Sequence, residues 1–267
     1  MTTFVITGST KGIGFALAKH CVARGDNVVI SGRTAEAVAE AIAAIERSGG
    51  AGKITGLATN VTDLTQVEAL WSKATSSFGR VDVWINNAGV ANTTRKIVET
   101  SATDVQTMVT TNLLGTIHGC QVAARGMVSQ EGGRIFNILG GGSDGEYFPG
   151  MGIYGTTKRG LDYLTTALAK ELAGTPVLVG KVRPGMIVTE GVIREIKADP
   201  GNFAKGRKIM NTLCDLPDTV APYLIEQMLA MSKTGSKIAW LTGGKIARRF
   251  FMARFKPRAD LFQTVGL

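Results

Sequence analysis

The stretch TGSTKGIG (residues 7–14) directly follows the β-branched run FVIT (4–7) and opens a helix-length segment from Ile13 to Ala23. A strand that turns into a helix through three glycines is a pattern suited to phosphate. Gly8 permits the sharp turn, Gly12 lets backbone N–H groups approach a pyrophosphate, and Gly14 allows helix and strand to pack closely. The N-terminal end of the helix adds its positive dipole. A glycine triplet alone is weak evidence, but between the first strand and first helix of an alternating chain it is specific.

The alternation continues outward from that loop. VVIS (28–31), a strand near 54–58, VDVWIN (81–86), RIFNIL (134–139) and VLVGKVR (177–183) are short apolar runs. Helical segments separate them, near 35–47, 64–78, 102–128 and 154–172. Nearly continuous apolar strands alternating with helices predict an α/β fold, with one doubly wound parallel sheet covered on both faces. Residues 1–267 read as a single Rossmann-type domain. From 190 to about 216 the alternation stops, and this segment is expected to be a lid. A helix near 218–231 and a strand near 238–241 would complete the sheet.

Composition narrows the class. Charged residues are 19% of 267, too few for a disordered polyelectrolyte. Cys21, Cys120 and Cys214, with His20 and His118, have no disulfide or metal-site spacing, so no metal is expected. No apolar run is long enough to span a bilayer, and a strand at Phe4 leaves no room for a leader, so the expected location is cytoplasmic. The net charge of +9 is concentrated between Gln227 and Ala259, which hold eight cations and no Asp or Glu. Within the basic segment 233–258, KIARRFFMARFK reads first as a helix packed on its own domain or on a sister subunit. The second reading is peripheral contact with an anionic membrane surface. No nucleic-acid reader motif accompanies the charge, and nucleic acid is not expected as a partner.

The second strand ends in SGRT (31–34). An NAD site usually has a carboxylate there for the ribose 2′-hydroxyl; Arg33, together with Lys11 in the glycine loop, favours a 2′-phosphate and hence NADPH. Further along, IYGTTKRG places Tyr154 and Lys158 four residues apart on one helix face. A free phenol titrates too high for proton exchange at neutrality, and a neighbouring ammonium is expected to lower it.

Together TGSTKGIG, WINNAG (84–89), Asn112, YGTTK (154–158) and RPGMIVTE (183–190) resemble the short-chain dehydrogenase/reductase family in order and spacing, over nearly the whole chain. The resemblance implies Tyr154 as general acid/base and Lys158 as its activator and ribose ligand, with Asn112 anchoring a water in the proton relay. It implies cofactor contacts from Gly8, Ser9, Thr10, Lys11, Gly12, Ile13 and Gly14. Further contacts would come from Arg33, Asn60, Val61, Asn86, Ala88, Gly89, Pro184, Gly185, Ile187 and Thr189. A homodimer or homotetramer is expected on the same ground. Asn60 stands where the family usually has Asp. Gly141 stands where its catalytic serine belongs, and the nearest hydroxyl is Ser143 in LGGGSDGEYFP (139–149).

That loop, with DVWINNAG, GDNVVI and LCDLPDTVA (213–221), resembles chlorophyll(ide) b reductases, although Leu139 and Gly141 depart from their pattern. The implied activity is NADPH-dependent reduction of the formyl group of chlorophyll(ide) b or a related tetrapyrrole. The alternatives are a generalist reductase, for example of 3-oxoacyl thioesters, and a non-catalytic NADPH sensor. Ser143 is the candidate donor to the developing alkoxide, with backbone amides as the alternative. The lid's Ile193, Ile196, Phe203 and Met210, mixed with cations, are expected to meet a large apolar substrate.

Overall fold

The computed structural model describes residues 1–92, 95–256 and 258–267, with Asn202 described by its backbone alone. Seven parallel strands form one sheet: β1 (Thr3–Ile6), β2 (Asn27–Gly32), β3 (Ile54–Ala58), β4 (Val83–Asn86), β5 (Gly133–Ile138), β6 (Val177–Arg183) and β7 (Lys237–Ala239). Their spatial order is β3-β2-β1-β4-β5-β6-β7, so the winding reverses between β1 and β4. Such a reversal leaves a crevice beyond the carboxyl ends of the two central strands, where ligands of open α/β sheets bind.

The strands are buried on both faces because their side chains alternate and both sets are apolar. Phe4, Ile6, Val28, Ile30, Val83, Ile85, Phe136 and Val182 pack against α1 (Gly12–Ala23), α2 (Ala35–Arg47) and α9 (Pro217–Ala230). On the opposite face Val5, Val29, Trp84, Ile135 and Val177 meet α3 (Leu64–Phe78), α5 (Gly115–Ser129) and α6 (Gly152–Glu171). The helix starts follow capping chemistry: Thr34 and Asp63 accept hydrogen bonds from the first-turn amides of α2 and α3.

Two features differ from the sequence reading. The helical stretch near 102–128 is α4 (Ala102–Val109) and α5 joined by a π-helical turn at Thr110–Leu114. The extra residue in that turn has no periodicity signature, and its result is to bring Asn112 inward, fully buried. The segment 190–216 is two helices, α7 (Glu190–Ala198) and α8 (Pro200–Leu213). Ile193, Ile196, Phe203 and Met210 do not form an open substrate surface. They gather with Val188 and Cys214 around the fully buried Phe262 of the distal segment, making a small core of their own. Arg207 fastens that segment by pairing with Asp260 at 2.8 Å and donating to the Leu267 carbonyl at 2.9 Å.

Candidate active site

The glycine loop is built against the end of β4. Gly8 and Gly12 have φ of +61° and +60°, open to glycine at little cost. A β-carbon on Gly8 would sit 2.6 Å from the Ala88 backbone, and one on Gly14 would overlap the Asn87 amide. Asn87 clamps the loop by donating Nδ2 to the carbonyls of Thr7 and Gly8, at 2.9 and 2.8 Å. Thr7 Oγ1 in turn accepts from the Asn87 and Ala88 amides, each at 3.0 Å. Ser9 is fully buried, its hydroxyl donating to Ile6 O and accepting from Ser31 N, so its side chain ties β1 to β2.

The remaining loop positions stay accessible. Lys11 and Arg33 are exposed and carry no ion pair among the described residues. Thr10 packs directly on Gly32, which precedes Arg33. Asn60 spends its Oδ1 on Thr62 and its backbone N–H on Gln66, while the Val61 carbonyl faces His118 Nδ1 at 3.0 Å. Thr189 caps α7, and a β-carbon on Gly12 would lie 3.4 Å from its methyl group. Pro184, Gly185 and Ile187 follow β6, and Met186–Val188 is held by backbone hydrogen bonds to Asp215.

Asn86 points elsewhere than the sequence reading supposed. It accepts from Trp84 Nε1 and donates to Asn137 Oδ1, each at 2.8 Å, and Asn137 donates on to Thr165 at 2.9 Å. Its side chain therefore belongs to a buried polar chain on the α5–α6 side of the sheet. Strand alternation carried the signal: residues 84 and 86 share a face, while Asn87, the residue facing the glycine loop, falls on the other.

Tyr154 and Lys158 lie on the inward side of α6. Lys158 is buried, donates to the Ile138 carbonyl at 2.9 Å and stands 5.6 Å from the Tyr154 ring centre. Asn112 accepts from Val90 N at 2.8 Å and donates to Val90 O and Thr157 Oγ1, so both amide hydrogens are engaged. Gly89 marks where these groups converge: a β-carbon there would be 3.3 Å from Asn112 Oδ1 and 3.7 Å from Lys158 Nζ. The Tyr154 hydroxyl abuts Gly140.

Protonation of the pair departs from expectation. Burial, reinforced by the Glu195 charge against a weaker pull from Arg183, pushes the phenol up to about 12. Burial brings the Lys158 ammonium down to about 8. The ammonium donates to a backbone carbonyl and stands over the ring, and desolvation is what lowers it.

Ser143 is fully buried and its hydroxyl has no hydrogen-bond partner among the described residues. An ionic clasp holds its loop: Asp144 pairs with Arg183 and Lys237, Glu146 pairs with Arg183, and Arg159 donates to the Ser143 carbonyl. Partial burial opposes ionisation of Asp144, but Lys237 and Arg183 hold its carboxyl below its ordinary value. A groove of about 740 Å³ runs nearby along α6, past Tyr147, Phe148, Met151 and Tyr163, but neither Tyr154 nor Lys158 lines it.

Comparison with known proteins agrees with this arrangement. Residues 2–199 match the short chain dehydrogenase family. The chain is 38% identical over 256 residues to chlorophyll(ide) b reductase NOL, chloroplastic, of Oryza sativa subsp. japonica, covering 92% of this chain and 73% of that protein. It is 34% identical over 259 residues to probable chlorophyll(ide) b reductase NYC1, chloroplastic, of Arabidopsis thaliana, covering 91% of this chain but only 51% of that one. The chain thus spans about half the length of the second relative. Among solved structures, ElxO with NADP bound superposes with a TM-score of 0.80 at 29% identity, over 92% of this chain and 99% of that one. With a parallel sheet reversing at β1 and β4, a glycine loop at the reversal and a Tyr–Lys helix beside it, this chain belongs to the short-chain dehydrogenase/reductase family of oxidoreductases.

Proposed function

We propose that the protein is an NADPH-dependent reductase of a carbonyl group, and that the carbonyl is the formyl group of chlorophyll(ide) b or a closely related tetrapyrrole. The observation that carries the reductase reading is the convergence of Asn112 and Lys158 on Gly89, with the Tyr154 hydroxyl against Gly140.

The cofactor cradle fits a dinucleotide phosphate. A β-carbon at Gly8 or Gly14 would fill the turn, and Lys11 and Arg33 are exposed without a carboxylate partner, as a 2′-phosphate requires. Loop amides from Thr10 to Ile13 would hold the pyrophosphate, the Ser9 amide being spent on the Ser31 carbonyl at 2.8 Å, and the Asn60 amide and the Val61 backbone would meet the adenine. Ala88 and Gly89 would flank the ribose, and the Pro184–Thr189 segment the carboxamide. The Asn86 backbone belongs to the same path, while its side chain serves the core. Bound there, the reduced nicotinamide supplies a hydride.

This chain's own groups manage the proton. Tyr154 is fully protonated at neutral pH, and its Oη donates the proton as the carbonyl carbon is reduced. Lys158 re-supplies charge stabilisation beside the phenol once a substrate or ribose oxygen competes with the Ile138 carbonyl for its hydrogens. Asn112, with its amide hydrogens committed, fixes the Val90 strand-end loop and α6 relative to each other; a relay water would rest on its backbone carbonyl. We assign Ser143 the role of hydrogen-bonding the developing alkoxide. Its orphaned hydroxyl costs roughly 1–3 kcal/mol while unpaired, which a substrate oxygen would recover.

The relatives named chlorophyll(ide) b reductases, matched over more than nine-tenths of this chain, support the tetrapyrrole substrate. Mixing the protein with chlorophyllide b and NADPH should convert the pigment's absorption to that of the hydroxymethyl product. Reduction of 3-oxoacyl thioesters without any pigment shift would replace this substrate with a generalist one. Failure to oxidise NADPH with every carbonyl would leave only a sensor.

A further inference from the structure

Helix α10 (Gly243–Ala253) is amphipathic in the inverted sense. None of its residues is buried. Its inward side is polar: Lys245 stacks over the Trp240 ring, and Arg249 donates to Leu213 O and pairs with Asp215 at 2.7 Å. Asp215, only 2% exposed, also takes Arg258 at 2.9 Å and Trp240 Nε1 at 2.6 Å. Ile246 is half-buried, and the large apolar side chains that follow it face away from the body of the protein. Phe251 is 61% and Phe255 71% exposed, their rings 5.2 Å apart, with Phe250 and Met252 exposed beside them. Four large apolar side chains exposed within six consecutive positions are more than scattered exposure explains.

We propose that this outward face of α10 is a docking surface for an anionic lipid headgroup layer, with Phe251 and Phe255 entering the acyl boundary. Charge complementarity selects this occupant. Phe251 lies in the last turn of α10 and Phe255 two residues past its end, with the exposed Arg248 and Arg254 close to them in the chain. Neither arginine, nor Lys256, carries an ion pair among the described residues, and no Asp or Glu occurs from Gln227 to Ala259. A cationic rim around aromatic anchors suits a negatively charged interface. A two-fold contact between copies of this chain would set the same arginines against one another, and protein interfaces are depleted of charge at their apolar centre. Among the described residues no helix is long and apolar enough to cross a membrane, so contact would be peripheral. The proposal does not depend on the substrate.

Flotation of the full chain with phosphatidylglycerol-rich and with pure phosphatidylcholine vesicles tests it. The parent should float with the anionic vesicles and bind neutral ones about tenfold less. Phe251→Ser/Phe255→Ser should lose about tenfold of the anionic binding, while its thermal midpoint stays that of the parent because both rings are exposed. Absence of flotation, equal binding to both vesicles, or an unaltered double variant overturns the proposal. So does a fall in oligomeric mass of the double variant without flotation of the parent, or binding of an oligonucleotide that displaces the vesicles.

Discussion

Tyr154 rests its hydroxyl on the α-carbon side of Gly140, where a β-carbon would overlap the phenol oxygen. Glycine at 140 therefore sets the position of the group proposed to donate the proton. Gly140→Ala should push the ring off by about an ångström and lower kcat about 100-fold. Cofactor affinity, measured by fluorescence titration, should stay within about twofold. Equal losses in both would mean the loop had collapsed instead.

Tyr154→Phe keeps the ring and removes the proton. Carbonyl reduction should fall by about 10² to 10⁴, with NADPH binding retained. Steady-state rates and a binding titration on the same preparation separate the two.

Arg33→Ala removes an exposed cation that no carboxylate engages among the described residues. Loss of one charge-assisted contact, worth about 1.5–3 kcal/mol, should raise the KM for NADPH about tenfold or more. The KM for NADH should hardly move, so the ratio of the two reports on the 2′-phosphate alone.

Lys158 has a stability signature that does not require activity. Its pKa is depressed from an ordinary 10.5 to about 8, so the folded state holds fewer protons than the unfolded chain between those values. The Lys158 contribution to stability therefore rises with pH across that window, and comparison of the parent with a Lys158 variant isolates it from the opposing contribution of the buried thiols Cys120 and Cys214. Lys158→Met should stabilise the fold at pH 7 by roughly 1–3 kcal/mol, after the lost hydrogen bond to Ile138 O is counted. The advantage should vanish near pH 10.5, as urea unfolding at the two pH values would show.

Asp215→Ala would leave Arg249 and Arg258 without their shared carboxylate. Breaking a buried pair from one side costs about 3–5 kcal/mol. Because the Asp215 carboxylate also takes Trp240 Nε1, and the Arg249 it orients donates to the Leu213 carbonyl, proteolysis within 190–216 should accelerate as the thermal midpoint falls.

How much of this was legible beforehand depends on whether the partners are local. The central strands were readable because they are apolar on both faces, and the glycine loop because its turn is made by adjacent residues. Tyr154 and Lys158 needed only helix spacing to share a side. Asn86 was misplaced although period-two alternation was available, since its motif suggested a ligand and its face pointed to the core. The π-helical turn that buries Asn112 leaves no compositional trace. The inner packing of α7 and α8 depends on Phe262, and the outward phenylalanines at the end of α10 depend on Asp215 drawing Arg249 inward. Neither is visible in a window of a dozen residues. The Gly140–Tyr154 contact likewise joins two elements separated by a loop.

The docking of Arg207 onto Asp260, 53 positions downstream, has a consequence for biogenesis. A growing polypeptide finishes α7 and α8 well before the segment carrying Phe262 exists, so the pair must wait with Ile196, Phe203 and Met210 uncovered. Ribosome-bound nascent chains stalled short of Asp260 should accordingly recruit holdase chaperones through this stretch, and release them once the missing partner is made.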